Sequence, residues 1–255
     1  MTILKVNNVM MRFGGLIALE NVSFEVTAGE IRGLIGPNGS GKTTLMNVIT
    51  GYHKPTKGEI IFEDKLITGL KPHETCSMGI ARTFQNIRLF SDMSVLENVM
   101  VGHHSQTKAE LGGAIFKPEW VKQEERKTRE KAEDILEFVG LSEFRNRRAA
   151  DLSFGQQRIL EIARALATEP KLLLLDEPAA NLSLPRIENL LKLLRELHDK
   201  LRVTIILIEH IIKVVMGISD RVTVLDHGLK IAEGPPEKVK RDPDVLTAYL
   251  GKGAG

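Results

Sequence analysis

One glycine-rich segment constrains the fold of this chain more than any other feature. Residues 36–43 read Gly-Pro-Asn-Gly-Ser-Gly-Lys-Thr and match the P-loop pattern G-x-x-x-x-G-K-[ST]. A predicted strand at Glu30–Ile35 precedes the segment, and a helical pattern starts near Lys42. Glycines at these positions let backbone N–H groups curve around phosphates, and the following helix adds its positive N-terminal end. The segment therefore predicts the strand–loop–helix unit of an α/β fold that binds a nucleotide.

The residue types of this loop predict contacts with a nucleoside triphosphate such as ATP. Lys42 is expected to reach the β- and γ-phosphates, and the Thr43 hydroxyl is expected to bind Mg²⁺. The predicted nucleotide-binding residues of this segment are Gly36, Pro37, Asn38, Gly39, Ser40, Gly41, Lys42, Thr43 and Thr44.

An acidic pair follows a second buried strand. Leu172–Leu175 form a continuous apolar run, which is typical of a central parallel strand covered on both faces, and Asp176 and Glu177 end this run. Asp176 is predicted to partner Mg²⁺ through water, and Glu177 is predicted to act as the general base for an attacking water. The alternative is a solvent-facing acidic pair at a strand end, but the P-loop upstream favours the catalytic role.

Composition excludes several classes of protein. Of 255 residues, 42% are hydrophobic and 27% are charged, which fits a globular chain with a packed core. The chain has 35 Lys and Arg residues and 33 Asp and Glu residues. This near-neutral charge produces no large positive electrostatic field that could hold DNA or RNA, so no nucleic-acid partner is expected. The single cysteine, Cys76, excludes an intramolecular disulfide. No apolar run approaches the roughly 18 residues that span a bilayer, which predicts a cytosolic chain.

Four further features extend the pattern, and together with the P-loop they resemble the ABC ATPases. Residues 152–157 read Leu-Ser-Phe-Gly-Gln-Gln and are similar to the signature motif, with phenylalanine in the third place. Gln85 is similar to the Q-loop glutamine, and His210 is similar to the switch histidine. Phe13 falls where the family places an aromatic residue that stacks on adenine. The resemblance covers nearly the whole chain.

The resemblance implies a head-to-tail dimer in which each cassette completes the nucleotide site of the other. The residues of the signature motif that would contact the partner's ATP are Ser153, Gly155 and Gln156. His210 would hold the γ-phosphate or the attacking water, and Gln85 would contact Mg²⁺ and water. The implied catalytic residues are Lys42, Gln85, Glu177 and His210, and the implied metal contacts are Thr43, Gln85 and Asp176. The alternatives are a plain loop residue for Gln85, a strand-end histidine for His210 and an ordinary core residue for Phe13.

The implied fold is α/β, a P-loop NTPase ABC cassette. It has a mainly parallel core sheet flanked by helices, an antiparallel β subdomain and a helical subdomain. Within one ABC ATPase domain over residues 1–255, residues 1–84 and 158–255 are expected to form the nucleotide-binding core with the β subdomain. Residues 85–157 are expected to form the helical subdomain, which carries the signature motif and a charged insertion within 103–150.

Several stretches narrow the resemblance to the cassettes of branched-chain amino acid, or Liv-type, importers. These stretches are residues 81–90, 93–99, 176–180, 215–221 and 243–251. The long insertion after Gly102 favours the larger, G-type cassette. The resemblance implies an ATPase that powers import and lies on the inner face of the plasma membrane through permease subunits. A periplasmic solute-binding protein would be an indirect partner.

Other members of the family share much of this pattern, so amide or urea importers and lipopolysaccharide exporters are alternatives. A soluble ABC ATPase that acts on nucleic acid or ribosomes is disfavoured by the single cassette and the near-neutral charge. A third hypothesis is a nucleotide-dependent subunit without hydrolysis.

Two departures from the Liv-type pattern motivate this third hypothesis. Residues 181–185 read Asn-Leu-Ser-Leu-Pro. The family usually has glycine at the position of Asn181 and Asn-Pro after the leucine. Ile211 and Ile212 replace the usual Asp and Met after the histidine. Asn tolerates a left-handed backbone and Ser183 is expected to cap the next helix, so the fold can survive the first departure.

Overall fold

The structure is a computed structural model that describes residues 1–103 and 119–250. Its strands are β1 (Thr2–Phe13), β2 (Leu16–Thr27), β3 (Ile31–Ile35), β4 (Lys57–Phe62), β5 (Lys65–Leu66), β6 (Ile80–Arg82), β7 (Leu172–Asp176), β8 (Thr204–Ile208), β9 (Arg221–Asp226) and β10 (Leu229–Gly234). Its α-helices are α1 (Lys42–Ile49), α2 (Pro72–Ser77), α3 (Val95–His103), α4 (Glu119–Phe138), α5 (Phe154–Leu166), α6 (Leu184–Leu201), α7 (Ile212–Ile218), α8 (Pro236–Val239) and α9 (Pro243–Leu250).

A six-stranded sheet forms the centre of the fold, in the order β10-β9-β3-β8-β7-β6. All neighbouring strands in it are parallel except the edge strand β10, which is antiparallel to β9. Every residue of β3, β7 and β8 is buried, which for β7 confirms the prediction from the apolar run at Leu172–Leu175. Side chains alternate between the two faces: Leu172 and Leu174 pack with α1, whereas Leu173 and Leu175 pack with α5 and α6.

A four-stranded antiparallel sheet, in the order β2-β1-β4-β5, covers the opposite side of α1. The apolar residues of β1, β2 and β4 share one core with Leu45 and Met46 of α1. The P-loop helix therefore lies between the two sheets, which confirms the predicted α/β fold class with its antiparallel subdomain.

The turn between β9 and β10 links the two sheets to the P-loop. His227 and Gly228 both have positive φ, 45° and 81°, as the tight hairpin requires. The Gly228 carbonyl accepts from Glu20 N at 2.8 Å, and Gly228 N donates to Ser40 O at 3.1 Å. One glycine thus contacts both the antiparallel sheet and the phosphate-binding loop.

Helices α3, α4 and α5 share a separate small core. Its buried residues include Val95 and Val99 of α3, Leu136 of α4 and Leu160 of α5. Helix α4 carries much of the predicted charged insertion, of which residues 104–118 lie outside the described residues. The division of the chain at residues 85 and 157 stays a prediction. In the described ranges, no helix is long and apolar enough to cross a membrane.

A buried arginine connects strands of both sheets. Arg32 of β3 is 2% exposed and donates to Glu30 Oε1 at 2.6 Å and to Glu233 Oε1 of β10 at 2.6 Å. It also donates to Thr223 Oγ1 of β9 and to the Glu25 carbonyl of β2. The positive charge thereby balances the buried Glu30 carboxylate and contacts the partly buried Glu233, which also pairs with Lys230.

Replacing Arg32 with methionine should lower the free energy of unfolding by about 3–5 kcal/mol, because it leaves the buried Glu30 carboxylate without its ionic partner. Arg221 offers a matched control, since it pairs with the same Glu233 at 3.7 Å but is 47% exposed. Arg221→Met should cost about 1 kcal/mol or less. Urea unfolding followed by far-ultraviolet circular dichroism measures both values, and equal losses would contradict a structural role for the Arg32 network.

Candidate active site

The P-loop connects β3 to α1 in a shape that requires glycine. Gly36, Gly39 and Gly41 have φ angles of 151°, 78° and 104°. A Cβ atom on Gly36 would lie 2.0 Å from the Leu225 carbonyl oxygen, and one on Gly41 would lie 2.7 Å from the Ala18 carbonyl oxygen. The loop is therefore fixed against β2 and β9, with Asn38 and Gly39 exposed at its tip.

Lys42 holds its ammonium group inside this loop. The side chain is 6% exposed, and Nζ donates to the carbonyls of Gly36 and Pro37, both at 2.8 Å. Burial lowers the pKa of Lys42, while the negative charges of Glu177 and Asp176 oppose that shift. Thr43 and Thr44 follow in the first turn of α1, and Thr43 is exposed. The loop thus presents a cation and a hydroxyl close to an acidic pair.

Asp176 ends β7 and is 3% exposed. Its Oδ2 accepts from Arg82 Nη2 at 2.8 Å, and Arg82 Nη1 donates to Asn47 Oδ1 of α1 at 2.6 Å. Arg82 was not predicted as a site residue. The available signal was its position at the end of β6, which pairs in parallel with β7. Arg82 therefore fixes one carboxylate oxygen of Asp176 relative to the P-loop helix.

Three predicted catalytic side chains meet beside this strand end. Gln85 Nε2 donates to Glu177 Oε2 at 3.2 Å, and His210 Nε2 lies within hydrogen-bond distance of Glu177 Oε1. Glu177 itself has a left-handed φ of 50°, and its N–H donates to the Ile208 carbonyl at the end of β8. Unusual backbone geometry of this kind is typical of functional positions. Both oxygens of the Glu177 carboxylate are thus oriented by neighbouring side chains.

Glu209, next to the switch histidine, was also missed. It is 2% exposed, and its Oε1 accepts from the backbone N–H of Ala179. Burial raises the pKa of Glu209, while the N–H of Ala179 favours the charged form. The bond connects the segment after β8 to the segment after Glu177.

The structure accommodates both departures from the Liv-type pattern. Asn181 has a φ of 59°, which confirms the expected left-handed backbone. Ser183 does occupy the N-cap position of α6, but its side chain makes no capping hydrogen bond, so the predicted cap is wrong in that respect. Pro185, in the first turn, instead restricts the backbone to a helical φ. Despite Ile211, His210 still reaches Glu177.

The signature motif begins α5 with a capping box. Ser153 Oγ accepts from Gln156 N at 3.5 Å, and Gln156 Oε1 accepts from Ser153 N at 2.9 Å. Gly155 is buried, and Phe154 is 41% exposed. In the part of the chain that the structure describes, no hydrogen bond joins Ser153, Gly155 or Gln156 to residues 36–44.

Two buried charges of α5 hold the Q-loop backbone. Arg158 donates to the carbonyls of Phe84 and Gln85, both at 2.8 Å, and pairs with Glu161 at 3.0 Å. Glu161 Oε1 accepts from the N–H groups of Phe84 and Arg88. Burial raises the pKa of Glu161, and the Arg158 charge opposes this shift. The predictions missed both residues, which directly connect the signature helix to the loop that carries Gln85.

Two aromatic residues lie at the edges of the site. Phe13 is 43% exposed and meets His53 edge-on with ring centroids 5.3 Å apart, so the alternative of an ordinary core residue is wrong. Burial raises the pKa of the Tyr249 hydroxyl in α9, and the nearby backbone N–H of Gly36 opposes this shift. The C-terminal helix thus contacts the start of the P-loop.

The site combines a glycine loop that holds a buried lysine with an acidic pair at the end of a parallel strand. Together these features define a P-loop nucleotide-binding protein. The family model described as ABC transporter matches residues 19–180, and the model described as branched-chain amino acid ATP-binding cassette transporter matches residues 230–255. The chain belongs to the ABC transporter family and is an ATPase of its ATP-binding cassette type.

The similarity extends over whole chains. The sequence is 46% identical over 250 residues to the high-affinity branched-chain amino acid transport ATP-binding protein LivG of Escherichia coli K12, with 98% of each chain covered. A cassette of an ABC transporter solved in its ADP conformation has a TM-score of 0.86 and 39% identity over 99% of this chain and 100% of that chain. A dimeric cassette in a post-hydrolysis state with ADP and Pi has a TM-score of 0.77 and 29% identity over 91% and 98%. These findings confirm the inferred resemblance, the fold class and nucleotide binding.

Proposed function

We propose that this chain is the ATP-hydrolysing subunit of a membrane importer for branched-chain amino acids. The main support for hydrolysis is the carboxylate of Glu177, which Gln85 and His210 orient beside the P-loop. The support for the solute is the whole-chain similarity to LivG and the match of residues 230–255. Permease subunits would hold the chain on the inner face of the plasma membrane and connect it indirectly to a periplasmic solute-binding protein.

In the proposed reaction, Glu177 accepts a proton from water as the water attacks the γ-phosphorus. The bond between the γ-phosphorus and the oxygen bridging to the β-phosphate breaks, which leaves ADP and phosphate. A positioned base contributes roughly 10²–10⁴-fold to such a step. Lys42 stabilises the negative charge on the phosphates, and His210 holds the γ-phosphate or the attacking water.

The residues around Asp176 fit a magnesium ion held together with ATP. Gln85 contacts the protein through Nε2, and Asp176 contacts it through Oδ2. The Oε1 atom of Gln85 and the Oδ1 atom of Asp176 are therefore available to a metal ion. These two atoms and the Thr43 hydroxyl are hard oxygen donors, which Mg²⁺ prefers. Over residues 1–103 and 119–250, no group of three or more His, Cys, Asp or Glu could hold a metal by itself. When bound, Mg²⁺ would neutralise charge on the β- and γ-phosphates.

The proposed active assembly is a head-to-tail pair of cassettes, identical or different. Ser153 and Gly155 begin a helix whose N-terminus is electropositive, and among the described residues they form no hydrogen bond to the P-loop of their own chain. In a head-to-tail pair, the partner's ATP would meet this helix end. The dimeric cassette with ADP and Pi offers a structural precedent at 29% identity.

An exposed apolar groove beside the Q-loop supports attachment to a permease. Tyr52, Phe90 and Val101 line this groove and are 48%, 46% and 38% exposed. Phe84, the residue before Gln85, lies in the same groove. A permease helix seated there would contact the loop that positions Gln85, which gives a direct route from transport to hydrolysis.

Uptake by the cells that encode this chain tests the proposed solute. Deleting the gene should lower uptake of labelled leucine, isoleucine and valine to background, and the wild-type chain should restore it. Lys42→Ala should not restore uptake, because the P-loop then lacks its cation. Loss of amide or urea uptake instead would overturn the proposed solute but retain an import ATPase. Unchanged uptake of all these solutes would overturn the import function proposed here.

A further inference from the structure

The first turn of α6 places an arginine against the signature motif. A Cβ atom added to Gly155 would lie 3.1 Å from both Cδ and Nη1 of Arg186, so the side chain passes directly over this glycine. The two residues line a cavity of about 350 Å³ together with Ser153, Gln156 and Asn189. The guanidinium therefore lies on the same surface as the predicted ATP contacts of the motif.

Arg186 is exposed at the start of α6. Among the residues described, no carboxylate pairs with the Arg186 side chain and no acceptor hydrogen-bonds to it. Arg186 also faces the N-terminus of α5, which is itself electropositive. Two positive groups side by side repel each other unless an anion lies between them.

We propose that Arg186 contacts the γ-phosphate of the ATP held by the partner cassette, next to Ser153 and Gly155. This inference rests on the head-to-tail dimer proposed above and adds a residue that none of the predicted motifs contains. A guanidinium suits the role, because its planar donors bind phosphate oxygens in pairs and keep their charge at every physiological pH. The contact forms only in the dimer, so Arg186 would strengthen closure around ATP more than around ADP.

Dimer formation in the Glu177→Gln background tests this role. The ATP concentration that gives half-maximal dimer, measured by size-exclusion chromatography with light scattering, should rise about tenfold or more when Arg186→Gln is added. Arg186→Lys should recover part of the loss, since it keeps the charge but not the paired donors. Binding of a fluorescent ATP analogue to the dilute monomer should stay unchanged, because the monomer's own P-loop is intact.

Lys192→Gln is the matched control, since it removes one exposed positive charge from the same helix away from the cavity. It should leave the dimerisation curve unchanged. If Arg186→Gln behaves like Lys192→Gln while Glu177→Gln alone dimerises with ATP, the role of Arg186 is overturned and the proposed dimer stands. A lower melting temperature with equally weakened monomer binding would also overturn it, in favour of a structural role. If Glu177→Gln alone binds ATP without dimerising, a pair of identical cassettes is overturned together with the Arg186 contact inside it, and a pair of different cassettes is retained.

Discussion

Glu177→Gln is expected to reduce ATP turnover by a factor of about 10²–10⁴, because the amide cannot accept the proton of the attacking water. Glutamine has nearly the same shape and can still contact Gln85 and His210, so the site should keep its architecture. ATP binding should persist, and the dimer should accumulate because hydrolysis no longer reopens it. Phosphate release under saturating ATP and light scattering measure the two effects on one preparation.

Glu209→Gln provides a matched control for this experiment. Glu209 is also a carboxylate next to the site, but its Oε1 accepts from the backbone N–H of Ala179, which a glutamine oxygen can still do. Turnover of this variant should stay within a few-fold of the wild type. Similar losses in the two variants would contradict the assignment of the general base to Glu177 and would indicate a general need for negative charge.

Arg158→Met is expected to have the largest effect on stability among the residues around the Q-loop. The change leaves Glu161 unpaired at 2% exposure and removes the donors of two backbone carbonyls, at Phe84 and Gln85. Breaking a buried pair in this way costs about 3–5 kcal/mol of unfolding free energy. Because the Q-loop also loses its attachment, ATP turnover should fall together with stability. Urea unfolding and phosphate release measure the two quantities.

Arg148→Met serves as the surface comparison for this variant. Arg148 also pairs with an acidic residue three positions along, Asp151, but its side chain is 62% exposed and the pair lies in water. Stability and turnover should both stay near the wild-type values. A destabilised Arg158→Met protein with normal turnover would show that the Q-loop does not depend on the arginine for its position.

The fold could largely be predicted because its main elements have local sequence signals. The apolar run at Leu172–Leu175 lies within β7, and the glycines at residues 36–41 adopt the positive φ angles that their pattern indicates. The convergence of Gln85, Glu177 and His210 was implied by resemblance alone, since these residues are far apart in the sequence. The spacing of apolar residues indicates helices and strands, but it does not show that three positions so far apart lie together in the fold.

Sequence reasoning failed for the buried charges that position the predicted residues. Arg82 donates a hydrogen bond to Asp176, which is 94 residues away in the sequence, and Arg158 donates to the Phe84 carbonyl, which is 74 residues away. A charged residue in a helix or at a strand end is usually a solvated surface residue, and only the packed tertiary structure makes these side chains internal. Ser183 shows the converse case, in which a favourable cap residue occupies its position without forming the bond.

The hairpin turn at Gly228 has a consequence for the dynamics of the whole cassette. Its N–H bonds to the Ser40 carbonyl of the P-loop, and its carbonyl accepts from Glu20 of β2. The amide protons of Gly228 and Glu20 can therefore exchange with deuterated solvent only when this junction opens. A nucleotide that rigidifies the P-loop will slow exchange at both positions, although they belong to two different sheets. Nucleotide occupancy can thus be followed by mass spectrometry at a turn remote from the catalytic carboxylate in the sequence.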